Sequence, residues 1–187
     1  MINYIGLDGE MSGVDINDGH KLIQIGLAKI VDGDMISTSS LLNPGEMLWS
    51  KEAEAVHQFS QEAIERDGAE PLLIDQELAG WVSLKPDRQR TIAVGFNVGS
   101  FDMPFVTATL PKLRSRLSRR SVDLNSILFA LADTDGQFQK IKAKSKDYAI
   151  EKMDGMFQGF KDRQHDAEYD AVMALYCFEY LRNVIKK

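Results

Sequence analysis

Three apolar, β-compatible runs fill most of the first 42 residues, and nearly all helical spacing comes after them. Ile2 to Leu7 is the first, and it stops at the acidic, glycine-containing stretch Asp8-Gly9-Glu10-Met11-Ser12-Gly13. Leu22 to Val31 is the second, with Gly26 inside it, and Met35 to Leu42 is the third, closed by the turn signal Asn43-Pro44-Gly45. Consecutive strands with short connections read as an antiparallel meander. Leu72 to Leu84 then has helical spacing, with Leu73, Leu78, Trp81 and Val82 available for one buried stripe. Thr91 to Val94 is a short β-branched strand, and Phe101 to Leu110 and Leu124 to Ala132 read as helices. A last helix opens near Asp166, a good N-cap residue, and runs to about Ile185, with Ala171, Leu175, Phe178, Leu181 and Ile185 as its apolar stripe. Strands first and helices later predict an α/β layered domain, a mixed central sheet flanked by helices. A length of 187 residues suits one domain, residues 1–187.

The single cysteine, Cys177, cannot form an internal disulfide, so no oxidising compartment is implied. The N-terminus lacks the basic start and apolar stretch of a secretory signal, and the most apolar run, Ile127 to Ala132, is too short to cross a bilayer. The expectation is a cytoplasmic protein with no membrane partner. A formal net charge of −6 argues against a nucleic acid partner, since phosphate binding usually leaves a basic footprint. Two features offset it. Lys112, Arg114, Arg116, Arg119 and Arg120 fall close together, and Lys140, Lys142, Lys144 and Lys146 follow. For both runs, a solvated surface and phosphate contact weigh evenly. A protein can also meet phosphate through cations held by carboxylates, which makes its chain more acidic.

Three groups of acids are candidates for such a site. Asp8 and Glu10 have the i, i+2 spacing that points two side chains to one side of an extended strand. The chain has 28 acidic residues, and Asp75-Gln76-Glu77 repeats the spacing inside a predicted helix, where it has no such meaning. What distinguishes Asp8-x-Glu10 is an apolar strand that delivers it beside a glycine-rich turn. Asp102 opens a helix after the loop Gly95-Phe96-Asn97-Val98-Gly99, where stabilising the helix N-terminus is the simpler role. His165 lies just before the last helix and Asp170 in its second turn, with Asp166 and Glu168 complementing the helix dipole. Together, four carboxylates at element boundaries suit two divalent cations. Clustered without a countercharge, they would raise one another's pKa values. Oxygen ligation without a Cys/His cluster favours Mg²⁺ or Mn²⁺ over zinc.

Asp8-x-Glu10, then Asn97 with Phe101-Asp102, then His165-x-x-x-x-Asp170 resemble the three motifs of the DEDD-type 3′–5′ exonucleases, histidine subtype. That group includes the proofreading exonuclease subunit of bacterial replicases, oligoribonuclease and ribonuclease T. The order and rough spacing match from Asp8 to Asp170. Gln24-Ile25-Gly26 resembles the family's second strand, and Val122-Asp123-Leu124 the strand before a mid-domain helix. Asn43-Pro44-Gly45 with Ala55-Val56-His57 resembles the segment that reaches toward the nucleotide. Gly9 stands where many relatives carry Thr or Leu, and Phe96 replaces a His often found before Asn97. Glu10-Met11-Ser12-Gly13 is similar to the turn of oligoribonuclease.

The resemblance implies the ribonuclease H-like exonuclease fold and metal-dependent release of nucleoside 5′-monophosphates from a 3′ end. It implies that Asp8, Glu10, Asp102 and Asp170 ligate two Mg²⁺ or Mn²⁺ ions about 4 Å apart, and that His165 takes the proton from the attacking water. It further implies that Met11 and Ser12 cradle the terminal nucleotide, with His57 and Asn97 near its base or sugar. Single-stranded DNA is slightly favoured as substrate, with short RNA as the alternative and a non-catalytic nucleic-acid- or polymerase-binding domain as a third reading. A homodimer and a polymerase partner are both compatible with the sequence.

Overall fold

The computed structural model describes residues 2–82, 91–155 and 166–186. Its five-stranded sheet has the order β3-β2-β1-β4-β5. β1 (Tyr4–Met11), β2 (Leu22–Val31) and β3 (Asp34–Leu41) form the expected antiparallel meander. The β2–β3 connection is the two-residue turn Asp32-Gly33, with φ of 54° and 101°. Paired positive φ values match the right-handed twist of the flanking strands, which is why Asp-Gly suits this position. β4 (Thr91–Gly95) adds to β1 in parallel, and β5 (Leu117–Asp123) adds to β4 in parallel as an edge strand.

Eight helices are described around the sheet. α1 (Lys51–His57), α2 (Gln61–Asp67) and α3 (Pro71–Val82) connect β3 to β4, and α4 (Asp102–Thr109) and α5 (Pro111–Arg116) connect β4 to β5. α6 (Leu124–Leu131), α7 (Asp135–Met153) and α8 (Ala167–Ile185) follow. Strand alternation splits the apolar residues between two cores. Ile5, Leu7, Ile25 and Leu27 pack with Leu78, Phe105 and Leu113 on one face. Ala28 and Val94 pack with Leu124, Leu128, Ala171 and Leu175 on the other. This is the mixed sheet flanked by helices that the sequence predicts.

Several local expectations are corrected. β1 does not stop at Leu7; it runs on through Met11, because Asp8, Gly9 and Glu10 pair with Gly26, Ile25 and Gln24 of β2. Leu73 is exposed, and α3 buries Ile74, Asp75, Leu78 and Ala79 instead. Asp75 is the exception to a reading that gave it no role: its carboxylate accepts the N–H groups of Lys112 and Leu113 at 2.9 and 2.8 Å, capping the start of α5. Ile185 is exposed, so the buried stripe of α8 ends at Leu181. The lysine run from Lys140 to Lys146 lies on α7, and the run from Lys112 to Arg120 is divided between α5 and β5. The end of the helix expected to reach Leu84 lies outside the described residues.

Candidate metal centre

Alternation along β1 turns Ile5, Leu7 and Met11 into one core and leaves Gly6, Asp8 and Glu10 on the face that α8 covers. α8 lies unusually close to that face. A Cβ at Gly6 would collide with the Ala171 carbonyl, and a Cβ at Gly26 with the Ala167 carbonyl. Both positions therefore admit only glycine without displacement of the helix backbone. The buried side chain of Gln24 accepts the Ala167 N–H at 3.0 Å, satisfying a first-turn donor of α8. Asp166 caps the helix by accepting the Glu168 N–H at 3.0 Å. Glu168 in turn accepts the hydroxyls of Ser37 and Ser39 on β3, at 2.7 and 3.1 Å. The helix start is thus fixed over three strands, and it carries Asp170.

The outcome is a cluster of acids from distant segments. Carboxylate oxygens of Asp8, Glu10 and Asp170 lie within 4.8 Å of one another. Asp102, the first residue of α4, is buried beside them, and its Oδ1 accepts the backbone N–H of Gly9 at 2.9 Å. The capping role that its position suggested is replaced by this bond: the N-cap residue of α4 is Phe101, which makes no side-chain cap. Burial, and then the charges of Asp102, Asp170, Glu10 and Asp166, hold the Asp8 carboxyl well above the usual carboxylate range. Burial, then Asp170, Asp102 and Asp166, push Glu10 up to about 8. Asp102 is pushed up to about 7, chiefly by burial, with the Gly9 N–H working in the opposite direction. Such a donor set fits one or more divalent cations, which would cancel the charge, and its all-oxygen chemistry suits hard ions.

The other expected site residues fall in different settings. His165 lies outside the described residues, although Asp166, its chain neighbour, lies close enough to act on Asp8 and Glu10. Met11 is buried in the apolar core at the end of β1. Ser12 is fully enclosed; its hydroxyl donates to the Leu48 carbonyl at 2.7 Å and accepts the Lys21 N–H at 3.0 Å. His57 is buried at the end of α1, stacks on Phe59 and meets Trp49 edge-on, and its Nδ1 accepts the Phe59 N–H at 3.1 Å. Asn97 is exposed, with φ of 57°, and its Oδ1 accepts from Asn125 Nδ2 at 2.9 Å.

Asp123 and Gln24 were named in the sequence only as parts of strands, and their roles in the site are added by the structure. Asp123 caps α6 through the Asn125 and Ser126 N–H groups, and it also accepts the Asn97 N–H at 3.3 Å, tethering the loop that leads to Asp102. An Asp immediately before the apolar run Leu124–Leu131 was a visible capping signal. Gln24, a polar residue inside an apolar strand, was visible as an anomaly that burial must satisfy.

The family model for RNase T, described as Exonuclease, matches residues 5–178. No curated protein matches the chain in sequence. Among solved structures, Escherichia coli exonuclease I in complex with a dT13 oligonucleotide superimposes at a TM-score of 0.66 and 12% identity, over 100% of this chain and 43% of that one. The zinc-bound form of the E. coli exonuclease I–single-stranded DNA complex gives 0.68 and 14%, over 100% and 41%. A moderately thermophilic exonuclease I from Methylocaldum szegediense gives 0.67 and 14%, over 100% and 42%. The chain therefore spans less than half the length of these proteins. At such identity the likeness is one of fold.

Proposed function

This chain belongs to the exonuclease family whose model spans residues 5–178, and from that premise we propose that it is a 3′–5′ exonuclease releasing nucleoside 5′-monophosphates from single-stranded nucleic acid, with DNA preferred. The observation that carries the reading is the meeting of Asp8, Glu10 and Asp170 oxygens within 4.8 Å, with Asp102 buried against Gly9 beside them. The preference for DNA is supported by the single-stranded DNA bound in the E. coli exonuclease I complexes that share this fold.

In this reading Asp8, Glu10, Asp102 and Asp170 hold a pair of Mg²⁺ or Mn²⁺ ions. When bound, the ions supply charge neutralisation at the scissile phosphate and at the departing 3′-oxygen. Asp8 and Glu10 give the rigid half of the ligand set, since the sheet fixes them. Asp170 is the one ligand whose position depends on the docking of α8. Asp102 is oriented by the Gly9 N–H. His165 takes the proton from the attacking water, a task suited to an imidazole with an ordinary pKa of about 6.5. It directly precedes Asp166, whose charge acts on Asp8 and Glu10.

The test is a digest of DNA and RNA oligomers of equal sequence, each labelled at one end, with Mg²⁺ or Mn²⁺. Stepwise loss from the 3′ end, mononucleotide products and arrest by EDTA are expected, with DNA degraded faster. Cleavage within the strand, shortening from the 5′ end or activity that survives chelation would overturn the reading.

A further inference from the structure

β5 does not follow β4 evenly. Thr91 pairs with Leu117 and Ala93 with Ser121, so two residues on β4 are matched by four on β5. The excess falls in Ser118-Arg119-Arg120, a bulge in the edge strand. Bulges re-aim side chains and are favoured next to functional sites. This one is held in shape. Ser118 Oγ accepts the Arg120 N–H at 3.0 Å, and Arg114 Nη1 donates to the carbonyls of Leu117 and Ser118 at 3.3 and 3.1 Å.

The bulge leaves a pocket of about 330 Å³ between β5 and α4, bordered by Gly99, Thr107, Arg114, Arg119 and Ser121 among others. Its lining contains two arginines and no acidic residue, in a chain whose net charge is −6. Arg119 is exposed, and its side chain makes no hydrogen bond or ion pair among the described residues. Arg114 spends Nη1 on the backbone and has further guanidinium donors on Nη2 and Nε. The pocket is lined by chain neighbours of the acidic cluster: Gly99 lies in the loop tethered by Asp123, and Met103 follows Asp102. Thr107 is five residues beyond Asp102 on α4, so the pocket extends about 7 Å away from that acid along the helix axis.

We propose that this bulge pocket is a phosphate-binding subsite, in which Arg119 and Arg114 grip a backbone phosphate of the nucleic acid strand upstream of the end being cleaved. The chemistry is that of two planar, permanently charged forks facing a phosphodiester. Cations here offset the repulsion that an acidic protein presents to a polyanion. The assignment rests on the exonuclease reading for its ligand, and it divides the two basic runs: of the basic residues from Lys112 to Arg120, Arg114 and Arg119 line the pocket and Lys112, Arg116 and Arg120 do not.

Arg119 is the residue to alter, because Arg114 also holds the bulge. Arg119→Ala and Arg119→Lys are compared with the unaltered protein on a single-stranded DNA dodecamer and on thymidine 5′-monophosphate p-nitrophenyl ester, whose one phosphate is the scissile one. On the dodecamer, Arg119→Ala should raise KM on the order of tenfold with kcat unchanged, and Arg119→Lys should fall between. On the ester, all three proteins should be equal. Equal KM values on the dodecamer, or equal losses on both substrates, overturn the subsite while leaving the exonuclease reading intact. If the unaltered protein cleaves neither substrate, that reading fails, and the pocket is judged by fluorescence anisotropy of the labelled dodecamer. A salt-dependence slope smaller by about one in Arg119→Ala then supports it, and equal slopes or no binding overturn it.

Discussion

The backbone N–H of Gly9 donates to the carboxylate of Asp102 at 2.9 Å, across 93 residues of chain. The bond ties the start of α4 to the strand that bears Asp8 and Glu10, so the acidic cluster and the sheet share one anchor. Charge and acceptor can be separated at this position. Asp102→Asn keeps an oxygen for the Gly9 N–H and removes a charge that burial disfavours. It should fold with metal-free thermal stability at least equal to that of the unaltered protein, and lose on the order of 10²-fold or more in hydrolysis. Asp102→Ala strands the donor and should cost about 1–3 kcal/mol. Thermal denaturation of both variants checks this, and an Asn variant less stable than the Ala variant would rule it out.

Stability without metal should depend on pH in a direction opposite to the usual carboxylate case. Glu10 at about 8 and Asp102 at about 7 lie above the value of about 4 that such groups have in an unfolded chain. The folded state therefore binds more protons between about pH 4 and pH 8. The stabilisation is fully present below the lower value and is lost as pH rises through the higher ones. Between pH 5 and pH 8.5, the Tm of the chelated protein should fall more steeply than that of Glu10→Gln. Saturating Mn²⁺ should flatten the difference, and at a hundredfold excess over Kd it should add about 2.7 kcal/mol. Parallel pH profiles with and without the ion would refute the account.

Loss of a ligand and loss of the base should differ in degree. Asp8→Ala or Asp170→Ala should abolish hydrolysis in a protein that remains folded by circular dichroism. His165→Ala should slow it on the order of 10²- to 10⁴-fold. A loss below tenfold would remove His165 from the reaction.

The glycines under α8 make a prediction of their own. Gly26→Ala places a methyl group against the Ala167 carbonyl and the Glu168 amide, neither of which can yield without moving the helix start. It should cost about 1–3 kcal/mol in urea denaturation and reduce activity further by displacing Asp170. Gly80→Ala, at an open position of α3 with nothing near an added Cβ, serves as the control. It should be neutral or stabilising by up to about 1 kcal/mol. Equal behaviour of the two variants would mean that α8 does not sit on Gly26 as described.

What the sequence made legible was local and periodic. The i, i+2 spacing of Asp8 and Glu10 needed only an extended backbone, and Asp166 could be read as an N-cap from its place before an apolar stripe. β1 was cut short at Leu7 because Asp, Gly and Glu are poor strand formers, yet ladder bonds to β2 override that preference. α7 was missed because its buried residues, Phe138, Ser145, Ala149 and Met153, make a sparse stripe in a lysine-rich stretch. Of β5 only the end, Val122-Asp123, was legible, through the resemblance; its start was hidden inside a basic run, since the bulge destroys the alternation by which a strand is recognised. The bond between Asp102 and Gly9, and the seats at Gly6 and Gly26, exist only between distant segments, and no window of sequence contains them.

The placement of Asp170 on α8 has a consequence for timing. A ribosome making about 5–20 residues per second would expose Asp8 and Glu10 about 8–30 s before Asp170 is added. Early in that interval the nascent chain holds two of the four acids, and once Asp102 is made it holds three. Under the proposed function, a potentially destructive activity is switched on only when α8 settles onto its glycine seats.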